Sequence, residues 1–170
     1  MALSATSPLG RLLAGPVRPG ELIWIGLRPA RRAPVVTSQS AALIAETGIE
    51  GDRYKTNRNG ARQVTLIAEE DLAAIASFLG LDAIPPELVR RNFVTRGINL
   101  MALKERRFRI GEAVLETSGE CAPCSFMEDA LGPGGYNAMR GHGGITARII
   151  EGGRVTLGDI IERMDGSSQS

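Results

Sequence analysis

Aromatic side chains are scarce in this 170-residue chain: four Phe, two Tyr and one Trp, 4% in all. That scarcity excludes a stacking platform for single-stranded nucleic acid, which needs a series of ring faces. No excess of positive charge is present either. A net charge of +1 does not fit a protein that wraps a polyanion electrostatically. Cysteine is limited to Cys121 and Cys124, too few for the disulfide framework of a small secreted domain. No apolar run reaches the roughly 18 residues of a membrane span. The N-terminal MALSATSPLGRLLAGP has no basic segment before its leucines and is interrupted by Pro8 and Gly10, which makes it a poor secretory signal. These absences predict a cytoplasmic protein with neither nucleic acid nor membrane as partner.

What is present suffices for one domain. Hydrophobic residues make up 43% and charged ones 23%, enough for a core and too apolar for a disordered chain. Of 20 basic residues only Lys55 and Lys104 are lysine. Arginine suits bidentate capture of phosphate and carboxylate, although codon bias in a GC-rich genome gives the same count.

Short strands are predicted at residues 20–25, 35–37, 63–67, 92–95, 108–110, 113–117, 145–150 and 154–157, from β-branched or alternating patterns bounded by glycine-rich turns. ITARII-EGG-RVTL has the form of a hairpin. One helix is well signalled: Glu69, Glu70 and Asp71 complement its dipole, Leu72, Ile75 and Leu79 form a stripe, and Gly80 stops it. Pro85–Pro86 opens a further turn of helix. Residues 48–62 form a polar loop long enough to suggest a function. The fold class is therefore α+β, mainly β, an antiparallel barrel-like domain with a few short helices.

The sharpest local feature is SGECAPCSFMEDALG, residues 118–132. A helix opening at Pro123 would place Cys124 in its first turn, where unpaired N–H groups favour a thiolate. Glu128, one turn on, would oppose it. An inert buried cysteine is the plain alternative. Thiol–disulfide chemistry fits strand–CxxC–helix, but not the β-rich surroundings. Zinc would have Cys121, Cys124 and the only histidine, His142, one ligand short of a structural site. A zinc deaminase needs a histidine upstream of its PCxxC, and none is there. A single thiolate suffices where a cofactor completes a soft metal centre. Arg140-Gly-His-Gly-Gly144 reads as an anion cradle or as a tight turn; it matches neither the dinucleotide fingerprint nor a P-loop. Arg90-Arg91-Asn92 offers donors at a strand entrance, or a solvated charge pair at a helix end. No Ser-His-Asp set can be assembled.

Taken together, GIEGDRY from Gly48, QVTLI from Gln63, RRNFVTRGINL from Arg90, FRIGEAVLE from Phe108, CAPC from Cys121 and RGHGGITARIIEGGRVTLGD from Arg140 resemble the MOSC family, the domain named for the C-terminal part of molybdenum cofactor sulfurases. The resemblance runs in order over residues 21–164, leaving 1–20 as an extension and 165–170 as a loose tail. It implies a β-barrel-like fold that binds the molybdopterin form of the molybdenum cofactor. Cys124 falls on the family's PC motif, as molybdenum ligand or sulfur-carrying residue, and Cys121 is a variable neighbour. The resemblance carries Asn92, Arg91 and the turn Gly51, Asp52, Arg53 over as cofactor contacts, with Arg140 and His142 in the glycine turn. It implies a reductase of N-hydroxylated small molecules fed by a separate electron-donor protein. The alternative is a carrier of cofactor or persulfide sulfur, served by a cysteine desulfurase whose pyridoxal phosphate is not part of this chain.

Overall fold

The computed structural model describes residues 4–165; of the expected tail only Asp165 falls within them. In chain order the elements are α1 (Pro8–Leu13), β1 (Gly20–Leu27), β2 (Val36–Ser38), β3 (Ser40–Ile44), β4 (Gly48–Ile49), β5 (Val64–Ala68), α2 (Glu69–Phe78), α3 (Pro86–Val89), β6 (Phe93–Arg96), a 3-10 turn (Leu100–Leu103), β7 (Arg107–Ile110), β8 (Ala113–Glu120), α4 (Ser125–Leu131), α5 (Gly135–Met139), β9 (Ile145–Glu151), β10 (Gly153–Thr156) and β11 (Ile160–Met164). The mainly β, α+β architecture expected from the sequence is present. Seven strands close a barrel in the order β11-β7-β8-β9-β5-β6-β1, sealed where Gly20 and Glu21 pair with Ile161 and Ile160. A small sheet, β10-β3-β4, packs beside it.

Burial explains the strand sequences. β5, VTLIA, is buried at every position. Val64, Leu66 and Ala68 join the barrel core with Phe93, Leu115 and Ile149, whereas Ile67 joins Leu72, Ile75 and Ala76 of α2 in a second cluster. Successive residues serve opposite faces, and both faces are covered. Each such large aliphatic side chain contributes on the order of 1.5–3 kcal/mol.

The structure departs from the sequence reading in definite places. β5 and β6 are parallel, with Leu66 opposite Phe93, where antiparallel pairing was the expectation. A parallel neighbour requires a crossover, and α2 and α3 supply it, which is why the best-signalled helix lies there. The expected hairpin of residues 145–157 does not form. β9 pairs with β5 and β8, and β10 pairs with β3, so the glycines at 152 and 153 pass the chain from barrel to small sheet. The polar stretch 48–62 begins with β4, and β3 and β11 went unsignalled because their neighbours are remote in sequence. Before β1, α1 is capped by Ser7 Oγ, which accepts from Gly10 N at 3.0 Å. Arg163 of β11 ties it to the barrel by donating to the carbonyls of Leu13, Ala14 and Gly15.

Candidate functional site

Strand ends gather at one mouth of the barrel. β1 and β8 finish there and β6 and β9 begin, as the pairings Ile25–Phe93 and Glu120–Ile145 require. Beyond β8 the chain carries both cysteines. Pro123 does not open the helix: α4 starts at Ser125 and Cys124 is its N-cap, at φ −117° and ψ 171°. A capping side chain ordinarily accepts from the first N–H groups of the helix, but the Cys124 side chain makes no such bond. It is an exposed free thiol, whereas Cys121 is a buried one. Glu128 does not oppose it as expected. Its carboxylate accepts from Tyr136 N at 2.9 Å and Gly134 N at 2.7 Å, and these two backbone bonds hold it below the ordinary glutamate value.

Arg91 knits this mouth together. The side chain is buried, and its Nε donates to Gly143 O at 2.9 Å, Nη1 to Val89 O at 2.8 Å and Nη2 to Cys121 O at 3.4 Å. Burial pushes the guanidinium below its ordinary value, and the neighbouring Cys121 and, more weakly, Cys124 act in the opposite sense. Its hydrogen bonds go to carbonyls, with no carboxylate partner among the described residues. A buried cation without a counter-charge favours an anion beside it. The glycine turn is shaped by the same contacts. A Cβ at Gly143 would meet the Cys121 carbonyl, and one at Gly144, where φ is +85°, would meet the Leu66 carbonyl. Glycine is needed for close approach at both positions.

Asp52 and Asn92 form a second buried knot. Asp52 Oδ1 accepts from Arg28 N at 2.7 Å and Asn92 Nδ2 at 3.1 Å, and Oδ2 accepts from Arg28 Nη2 at 2.9 Å and Tyr54 N at 3.2 Å. Burial alone would raise this carboxyl, but the hydrogen bonds and charge of Arg28, helped by Tyr54 N, outweigh it and hold it below its ordinary value. The Asn92 amide also donates to Gly26 O, and its oxygen accepts from Thr65 N and Thr65 Oγ1, both at 3.1 Å. Its hydrogen-bonding capacity is therefore spent on protein groups. Asn92 and Asp52 set the geometry of the mouth rather than present free polar atoms to a ligand.

Arginines that do face solvent surround this knot. Arg53, after Gly51 (φ +85°) and Asp52, is exposed. Arg90 adopts a left-handed backbone, φ 57°, and donates to Ala33 O at 2.6 Å. Partial burial, then the like charges of Arg28 and Arg53, lower its value. The Arg32 and Arg90 guanidiniums sit 5.9 and 6.0 Å from the ring centroid of Phe126, two residues after Cys124. Arg62 Nη2 lies 3.6 Å from Cys121 Sγ. Sequence reasoning missed Arg28, Arg32 and Arg62, because nothing local marks them; only the run RPARR hinted at the first two.

Arg140 and His142 lie elsewhere. They line a cleft of about 410 Å³ between residues 120–123 and the glycine turn. His142 Nδ1 is 2.8 Å from Asp71 Oδ1. Asp71, read from the sequence as a dipole-complementing residue of α2, is thus also a cleft residue. Cys124, Arg91, Asn92 and Arg53 do not line this cleft, so the sequence-predicted residues divide between two adjoining regions of one mouth.

Among the described residues no three His, Cys, Asp or Glu side chains gather to hold a metal ion, so a metal centre here would need ligands from a cofactor. The exposed thiol and the cations Arg53, Arg90 and Arg91 fit an anionic, sulfur-rich group bearing a phosphate. No described helix is long and apolar enough to cross a membrane.

Solved structures support the architecture. The YuaD protein from Bacillus subtilis is similar with a TM-score of 0.76 at 20% identity, covering 87% of this chain and 97% of its own. YiiM from Escherichia coli gives 0.65 at 18%, covering 88% and 72%. YiiM from Geobacillus stearothermophilus gives 0.66 at 12%, covering 88% and 77%. At such identities the likeness is one of fold. Comparison with curated proteins finds no match. The pattern of the MOSC domain matches residues 49–162, from β4 to the middle of β11 and more than half of the sequence: the chain belongs to the MOSC domain family.

Proposed function

We propose that this protein binds the molybdenum cofactor through Cys124 and reduces N-hydroxylated small molecules with electrons from a separate donor protein. The observation that carries the reading is the pairing of an exposed, unpartnered thiol at Cys124 with Arg91, a buried cation lacking a counter-charge. A thiolate is the form that ligates a soft metal, and a nearby uncompensated cation favours it. Arg53 and Arg90 are placed to bind the terminal phosphate of the pterin, as planar forks that suit phosphate oxygens. When bound, the cofactor would supply a redox-active metal that passes electron pairs.

The chain's own contribution is to hold and shape. Arg91 fixes the Cys121 carbonyl, and with it the segment that presents Cys124. The Arg28–Asp52–Asn92 knot fixes the start of β6, and therefore Arg90 and Arg91. The net reaction consumes two electrons and two protons per N–O bond broken, turning R–NH–OH into R–NH2 and water. Molybdenum-loaded protein with an artificial reductant is expected to convert benzamidoxime to benzamidine, and Cys124→Ser to do so at background rate. A loaded protein that turns over no hydroxylamine, amidoxime or hydroxyguanidine would contradict the reductase reading.

The exposure of Cys124 also favours a second reading, a carrier of persulfide sulfur received from a cysteine desulfurase. It predicts a mass increase of one sulfur on Cys124 after incubation with desulfurase and cysteine, reversed by a thiol reductant.

A further inference from the structure

The cleft beside the cysteine segment holds an imidazole oriented by three devices. His142 N donates to Met139 O at 2.8 Å, which sets the turn. Nδ1 is 2.8 Å from Asp71 Oδ1, and an ionised carboxylate only accepts, so Nδ1 carries the proton. The Phe78 ring lies tilted against the imidazole, centroids 5.4 Å apart. Nε2 has no hydrogen-bond partner among the described residues, and both side chains of the pair remain about one-third exposed, 32% and 29%. A fixed, half-open imidazole is more than a surface tie between α2 and the glycine turn needs.

The chemistry around it is one-sided. Neutral His142 offers Nε2 as an acceptor, Asp71 keeps a second oxygen, and Glu120 brings another carboxylate to the wall. Arg140 is the only arginine or lysine lining the cleft; Arg62 and Arg91 do not line it. Tyr136 and Met101, both over 40% exposed, add apolar surface. About 410 Å³ is near the small end of ligand pockets, room for one ring and a substituent. The wall of residues 120–123 leads directly into Cys124.

We infer that this cleft binds a planar nitrogen base, neutral or cationic, such as an amidine or amino-substituted heterocycle, with its N–H groups on the Asp71–His142 pair and Glu120. The inference deepens the reductase reading by naming a substrate class and rests on that reading for its role in turnover, but the binding itself requires no metal. The cleft's acceptors match a donor-rich ligand edge, and the excess of carboxylate over guanidinium disfavours an anion of the same shape. Tyr136 and Met101 would cover the apolar ring.

His142 is the only histidine in the chain, so the untagged full-length protein has one imidazole Cε1–H resonance to follow. Benzamidine is expected to shift it saturably at pH 7.5, and benzoate, the anion of the same shape, to leave it in place at equal concentration. Asp71→Asn should weaken benzamidine about tenfold or more, since a hydrogen bond to a charged group is lost. Glu120→Gln, an exposed change that leaves the fold intact, should weaken it about threefold. A resonance unmoved by benzamidine, or moved by benzoate instead, would overturn the inference. Molybdenum content separates the two proposals. A protein that binds benzamidine but no molybdenum contradicts the reductase reading alone, and one that binds molybdenum with a silent His142 contradicts this one alone.

Discussion

Asn92 Nδ2 donates to Asp52 Oδ1 at 3.1 Å, joining the start of β6 to the turn after β4. Neither residue is more than 2% exposed. The bond makes Asn92 a structural pin whose truncation strands several buried groups at once. Asn92→Ala is expected to destabilise the protein by about 2–4 kcal/mol. For a domain of this size that lowers the thermal midpoint by roughly 5–15 °C, measurable by calorimetry. A shift under 2 °C would show that the knot is not holding the mouth.

The depressed Asp52 carboxyl has a pH signature. A group whose folded value lies below its unfolded one adds stability that is complete above the unfolded value. That stability is lost as pH falls through the folded value. Asp52 starts from 3.8 and is lowered, so its contribution fades below about pH 4. Asp52→Asn should be destabilised at pH 7 by about 3 kcal/mol, as when one partner of a buried ion pair is removed. Its deficit relative to the parent should shrink as pH falls below 4. Urea midpoints at pH 7, 4 and 3 test this; a deficit constant across that range would contradict it.

Arg91→Lys keeps the positive charge but loses the planar fork that reaches the carbonyls of Gly143, Val89 and Cys121. A loss of about 2 kcal/mol is expected, with increased hydrogen exchange at Cys121 N, whose bond to Gly144 O spans 2.8 Å. Parent-like exchange there would mean that the charge alone suffices.

Gly144→Ala confronts two obstacles, a φ of +85° and the Leu66 carbonyl in the way of the new Cβ. Both demand backbone movement between β5 and β9, at an expected cost of more than about 3 kcal/mol. Gly141→Ala is the control: its φ is +80° but its Cβ would meet nothing within 4 Å, so only the conformational cost of about 1 kcal/mol remains. Equal losses would argue against the close approach.

The barrel was legible where signals are local. The alternating strands around 108–117, the buried run at 64–67 and the acidic first turn of α2 announce themselves. Pairing was less legible, because it is decided by remote partners. Nothing within β5 or β6 says they run parallel, and nothing in ITARIIEGGRVTL says its two strands belong to different sheets. The site divides the same way. Cys124 stands out from CAPC alone, but Asp71 resembles any acidic residue at a helix start until His142, 71 positions later, meets it. Asn92 and Arg91 were noticed for their donors; only the tertiary structure shows that those donors are already engaged by Asp52, Gly26, Gly143, Val89 and Cys121.

The central claim is that Cys124 holds the metal of a molybdenum cofactor, and its most direct test is molybdenum per chain in protein made in a host that synthesises the cofactor. The account predicts near-stoichiometric molybdenum with released pterin in the parent. The metal should be retained in Cys121→Ser, whose thiol is buried, and lost in Cys124→Ser with the fold intact. Molybdenum absent from the parent, or bound equally well by Cys124→Ser, would contradict it.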